Sequence, residues 1–125
     1  MKPLVVCLAT AMMLGAVRAH AETMDLSGVT ATATLMQASE SSDRSRMQIT
    51  VENRSTAKFD ETRWSCTLLN GARSVGEETV WVEGIRANQQ AVKSQALQYA
   101  GGAVDGIKCT LVTVRIGNSL YYPER

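Results

Sequence analysis

An all-β sandwich of seven short strands is the fold the sequence predicts, and three observations predict it. Several stretches alternate apolar and polar residues with period two, the mark of a strand with one buried face. Turn-forming pairs punctuate the chain at spacings of about 8 to 15 residues, with no convincing helical pattern between them. Two cysteines, Cys66 and Cys109, lie 43 residues apart behind an export leader, which reads as one disulfide.

The chain opens MKPLVVCLATAMMLGAVRAHAET, with Lys2, an uncharged run from Pro3 to Val17, and small residues at Ala19 and Ala21. That pattern is a secretory signal peptide, expected to be cut after Ala21. The apolar run is short for a membrane span and no second one follows. Cys7 lies inside this run, without a small-residue box and cysteine at the cut, so it reads as part of the removed peptide. Lys2, Arg18 and His20 leave with it, so the mature chain carries eleven basic against twelve acidic residues and no histidine. Such a balanced charge gives no footprint for nucleic acid or anionic lipid. Residues 22–27 read as a flexible leader and residues 28–125 as a single domain.

The strands follow in order. VTATATLM (29–36) sets Val29, Ala31, Ala33 and Leu35 against Thr30, Thr32 and Thr34. The polar run at 39–46 is a loop, after which MQITVEN (47–53) turns Met47, Ile49 and Val51 inward. In RWSCTLLNG (63–71), Trp64, Cys66 and Leu68 share a face, and Asn70-Gly71 predicts a type I′ hairpin with positive φ at both residues. A fourth strand is expected near ETVWVE (78–83), with Gly76 as a bulge. AVKSQALQY (91–99) alternates poorly and suits a bulged or edge strand better than a short helix, with Gly101 and Gly102 ending it. Asp105-Gly106 suggests another turn. In IKCTLVTVRI (107–116) the apolar side changes near Leu111-Val112, which calls for a bulge or for a central strand covered on its second face at one end. Gly117-Asn118 turns the chain into SLYY, and Pro123 stops it.

The runs MQITVENRSTAKF, RWSCTLLNGARSVG, VEGIRANQQ and DGIKCTLVTV resemble the FxLYD-type domain of exported bacterial proteins. Leu68-Leu69-Asn70 stands where that family has Leu-Tyr-Asp, and Ile85 to Gln89 stands where its turn carries Pro-Gly, which this chain lacks. The resemblance implies an immunoglobulin-like or fibronectin-like sandwich and carries no catalytic residues to transfer. In its register Cys66 and Cys109 lie on the third and sixth strands, neighbours in one sheet. The other register is antibody-like, with Cys66, Trp81 and Cys109 as a Cys, Trp, Cys trio between sheets.

Chemistry is sparse. Two thiols without histidine, and no Cys-x-x-Cys, fall short of a zinc site, and neither a Ser-His-Asp nor a Cys-His arrangement can be built. The adjacent pairs Asp60-Glu61 and Glu77-Glu78 point to opposite faces if they lie on strands. YAGGAVDG (99–106) reads as a loop with no helix behind it to hold phosphate, and NRS (53–55) matches a glycosylation acceptor but reads as a turn. No catalytic residue, metal or cofactor is expected. Trp81 falls out of phase with Val80 and Val82, and Leu69, Tyr121 and Tyr122 lie near turns or the last strand, which makes these four the candidate interface residues. The expectation is a non-enzymatic periplasmic domain, or secondly an extracellular one, that serves structurally or binds another envelope protein. Alternatives are a chaperone or inhibitor that captures strands of secreted or amyloid-forming subunits, and a small-ligand carrier.

Overall fold

The structure, a computed structural model, describes residues 21–36, 46–98 and 104–124, and all its regular elements are strands. The expected signal peptide, except Ala21, and the glycines at 101 and 102 lie outside the described residues. Among the described residues there are eight strands: β1 (Ala21–Met24), β2 (Val29–Met36), β3 (Arg46–Asn53), β4 (Phe59–Asn70), β5 (Arg73–Ile85), β6 (Gln89–Ala96), β7 (Gly106–Ile116) and β8 (Ser119–Pro123). A five-stranded sheet runs β1-β8-β7-β4-β5 and a three-stranded sheet runs β2-β3-β6. β2 lies against β7 and β6 against β5, so the small sheet covers the large one as a sandwich with β3 over β4. Without β1 this is the seven-stranded fibronectin-like order.

The additional strand corrects the expected leader. Ala21–Met24 pairs in parallel with Leu120–Pro123, Glu124 N–H donates to the Met24 carbonyl at 3.0 Å, and Leu26 is buried. Residues 22–27 therefore belong to the domain. The loop at Asp25 is built by its own side chain: Oδ1 accepts from the Ser27 hydroxyl (2.7 Å) and from the Ser27 N–H (3.0 Å). These bonds, the hydroxyl first, hold the Asp25 carboxyl below its ordinary value of 3.8. A lowered folded-state pKa means that the turn gains from the charged form above the unfolded value and loses that gain as pH falls through the folded one. Ser27→Ala is expected to raise the Asp25 midpoint towards 3.8, read by carboxyl chemical shift.

The core forms where the alternation placed it. Met47, Ile49 and Val51 of β3 are fully buried and face Trp64, Cys66 and Leu68 of β4, with Val80 and Val82 from β5 beside them. Fully burying each such aliphatic side chain stabilises by about 1.5 to 3 kcal/mol. The Trp64 indole N–H donates to Thr62 Oγ1 at 2.8 Å, and the Thr62 hydroxyl donates on to the Val82 carbonyl at 3.3 Å, so the buried ring brings no unmet polar atom into the core.

Two register shifts make the alternation fit. In β7, Leu111 pairs with Trp64 and Thr113 with Arg63, leaving Val112 as the extra residue. Of the two explanations for the side change, the bulge is the one found: it moves the inward set from Ile107, Cys109 and Leu111 to Val114 and Ile116. In β5 the extra residue is Val75, between Gly76 opposite Leu68 and Ser74 opposite Leu69, so the expected bulge lies one residue from Gly76. The ambiguous segment 91–99 is a strand over residues 91–96, the greater part of β6, on the edge of the small sheet and antiparallel to β3.

The β4–β5 turn differs from the expected type. Asn70 pairs with Arg73, so the central residues are Gly71-Ala72, and only Gly71 has positive φ (63°). Glycine at the first central position is the type II′ solution, and Gly117 (φ 61°) repeats it between Ile116 and Ser119. Asp105 makes no turn of its own. Its N–H donates to the Leu69 carbonyl at 2.9 Å and its carboxylate accepts from the Gly71 N–H at 3.0 Å, tying the start of β7 to the hairpin.

Candidate interaction surface

The disulfide fixes which faces look outward. Cys66 and Cys109 are directly opposite on the neighbouring strands β4 and β7, bonded, with Cα atoms 3.9 Å apart. The link is within one sheet, as the FxLYD-type register implies. The antibody-like trio is overturned, since the indole packed in the core near the disulfide is Trp64 while Trp81 points out of the sheet.

Residues out of phase with this core form the outer face of the large sheet. Trp81 on β5 is 45% exposed, and its cross-strand partner is Arg63 on β4, whose guanidinium carbon lies 5.9 Å from the indole centroid. That cation–π contact keeps the ring oriented without covering it. Arg63 in turn pairs with Thr113 on β7, which is buried to 5% exposure although it faces outward. Tyr122, 42% exposed on β8, comes next across the sheet, since the residue before it pairs with Val114. Trp81, Arg63 and Thr113 thus form one row across three strands, and Tyr122 follows on the same face just past the last β7–β8 pair.

The adjacent row holds Leu120, 43% exposed, then Arg115, Glu61 and Glu83, with Arg115 and Glu61 at 4.0 Å. A shallow hollow lined by Thr23, Leu111, Val112 and Tyr122 lies where β8 leaves β7. The bulge at Val112 and the missing N–H of Pro123 are the reasons the β7–β8 ladder stops after three pairs.

Of the four candidates read from the sequence, the structure brings together Trp81 and Tyr122. Tyr121 points inward and packs against the core, and Leu69 is half-buried towards the Gly71 end of β4, several rows away. Arg63 and Leu120 were missed. Arg63 was visible only as one of the residues opposite Trp64 and Cys66, and its place beside Trp81 depends on the hairpin register.

The carboxylate pairs separate as strand geometry requires. Asp60 accepts from the Gly117 N–H at 2.7 Å, while Glu61 lies in the outer row. Glu78 is buried and accepts from the Gln98 N–H at 3.0 Å, while Glu77 is exposed. Asp25, Asp60 and Asp105 accept from backbone N–H groups at turns, and Glu78 accepts from one just past the end of β6. Asn53 of the NRS triplet is 1% exposed at the end of β3, and its amide hydrogens are taken by the Ala57 and Arg86 carbonyls, so it holds the turn that follows. Among the described residues no three His, Cys, Asp or Glu side chains group as a metal site would require, and no helix is long and apolar enough to cross a membrane.

These features define a disulfide-linked β-sandwich domain with an aromatic and arginine row on one outer face. Comparison with protein-family models, curated proteins and solved structures gives no match.

Proposed function

We propose that the protein is a non-enzymatic domain of the bacterial envelope that binds another protein through the outer face of its large sheet. The observation that carries this reading is the exposed set of Trp81, Arg63 and Tyr122 on one face of a rigid sheet, with Leu120 beside it. Trp, Tyr and Arg are the residue types that most often dominate binding energy, and a strand-mounted indole already held by Arg63 loses little freedom on docking. Export to an oxidising compartment, the periplasm first, is supported by the leader pattern and by the disulfide. The resemblance to FxLYD-type domains of exported bacterial proteins supports the same setting.

The test is affinity capture of the mature protein from native envelope extract, followed by titration of the recovered partner. Trp81→Ala is expected to weaken binding by about thirtyfold, a hot-spot loss of roughly 2 kcal/mol. Thr32→Ala, on the outer face of the other sheet, is expected to leave it unchanged. Equal binding by both variants would remove the face from the account.

A further inference from the structure

The flank where β5 and β6 come together carries a second, independent feature. Lys93 sits on an edge strand opposite Ile49, so its side chain starts on the inward face of the small sheet. It does not stay there: Nζ crosses to the large sheet and donates to the Trp81 carbonyl at 2.6 Å. An inward-pointing lysine is one way in which natural sheets blunt an open edge. Here, however, the ammonium has a neutral carbonyl as its acceptor, and among the described residues no carboxylate lies within ion-pair distance of it.

The Trp81 carbonyl also reports which way the strand faces. In an antiparallel ladder a residue turns its N–H and C=O to the same side, and alternate residues share that side. Since the Trp81 carbonyl points off the free edge, so do the backbone groups of Thr79 and Glu83. Beside them runs a groove lined by Trp81, Val82, Glu83, Ala91, Val92 and Lys93, with Val92 56% exposed at its far lip.

We propose that this edge captures an extended acidic segment of a partner protein, which adds as a strand to β5 and gives Lys93 a carboxylate in place of the Trp81 carbonyl. Strand addition supplies main-chain bonds to Thr79, Trp81 and Glu83. Pleating then sorts the captured side chains. Those opposite Trp81 lie on the outer face against the exposed indole and are apolar. Those opposite Val80 or Val82 point into the flank towards Lys93, where an Asp or Glu forms a charge-assisted bond stronger than the one it replaces. The segment read by this edge is therefore apolar, acidic, apolar. The proposal stands on Lys93 and the β5 backbone, and it survives if the Tyr122 end of the face proves silent.

The test uses the mature protein and two capped nonapeptides with a central Val-Glu-Val or Val-Gln-Val in a Thr/Ser background, followed by amide shifts and hydrogen exchange. The Glu peptide is expected to bind about tenfold more tightly, the size of one charge-assisted bond. It is expected to protect the Thr79, Trp81 and Glu83 amides. Lys93→Met keeps the apolar stem and is expected to erase the difference, while Lys93→Arg retains it, and thermal melts of both variants establish that they fold. Equal affinities for the two peptides, no binding at millimolar peptide, or shifts confined to Arg63 and Tyr122 would overturn the proposal. So would a concentration-dependent dimer that protects the same amides without peptide.

Discussion

Replacing Cys66 and Cys109 together by alanine is expected to cost about 4 kcal/mol, the chain-entropy value for a link closing this length of loop. For a domain of this size that lowers the melting temperature by about 15 to 30 °C. The two cysteines face each other on β4 and β7, and β4 lies at the centre of the sandwich, so the strands that lose the link also carry Trp64, Leu68 and Leu111 into the core. Cys66 is fully buried but small, so its truncation to alanine adds little cavity cost to the lost link. Thermal unfolding of the double variant beside the parent, with and without reductant, reads the effect. Reductant is expected to bring the parent down to the variant and to leave the variant unmoved. A variant that melts within about 3 °C of the oxidised parent would show that the link contributes little.

The second large effect belongs to Asn53. Its Nδ2 hydrogens go to the Ala57 carbonyl (2.7 Å) and the Arg86 carbonyl (3.1 Å), and its Oδ1 accepts from the Ser55 N–H (3.0 Å) and the Ser55 hydroxyl (2.6 Å). The side chain has two donors and two acceptor sites, and all four are used. It joins the end of β3, the turn before β4 and the turn before β6, at 1% exposure. Asn53→Ala is expected to destabilise by about 3 kcal/mol, because it removes four hydrogen bonds that a buried side chain makes to two part-buried turns. Asn53→Asp keeps the Ser55 bonds and sets a carboxylate oxygen against two carbonyls, so it is expected to be at least as damaging at neutral pH and to recover partly in acid, where the protonated group can donate one bond. Denaturant midpoints at pH 7 and pH 4 separate the two substitutions. An alanine variant as stable as the parent would show that water replaces the network.

What was legible in the sequence was local and periodic. β2 spans the predicted 29–36, and β3, β7 and β8 differ from expectation by one residue at an end, because each has a clear apolar alternation next to a turn. The side change near Leu111-Val112 was readable as a problem, and the Val112 bulge is its solution. β1 was not legible: Ala-Glu-Thr-Met has no alternating apolar face, and it is a strand because β8 offers it an edge about a hundred residues further along the chain. β5 was expected at 78–83 but runs from Arg73 to Ile85, since its outer portions are held by pairing with β4 and not by their own apolar pattern.

The same division runs through the candidate surface. Trp81 announced itself by being out of phase with Val80 and Val82, a property of its own strand. Its partners did not, because Arg63, Thr113 and Tyr122 come together on one face only after the hairpin register and the β7 bulge are fixed. Lys93 was less visible still. On the sequence it is a charge in a poorly alternating stretch, and only the stacking of β6 on β5 brings its ammonium to the Trp81 carbonyl. Where the side chain stands in the alternation was readable, and what lies across from it was not.

The outer face of the large sheet is the one proposed to meet a partner. Site-specific photo-cross-linking in intact cells tests this most directly, with a photoactivatable residue at position 79, exposed on β5 two residues from Trp81, and in a second strain at position 32, exposed on β2. A discrete adduct is expected from position 79, lost when Trp81 is also changed to alanine, and none from position 32. An adduct from position 32 alone, or from neither position with the protein present at normal level, would contradict the proposal.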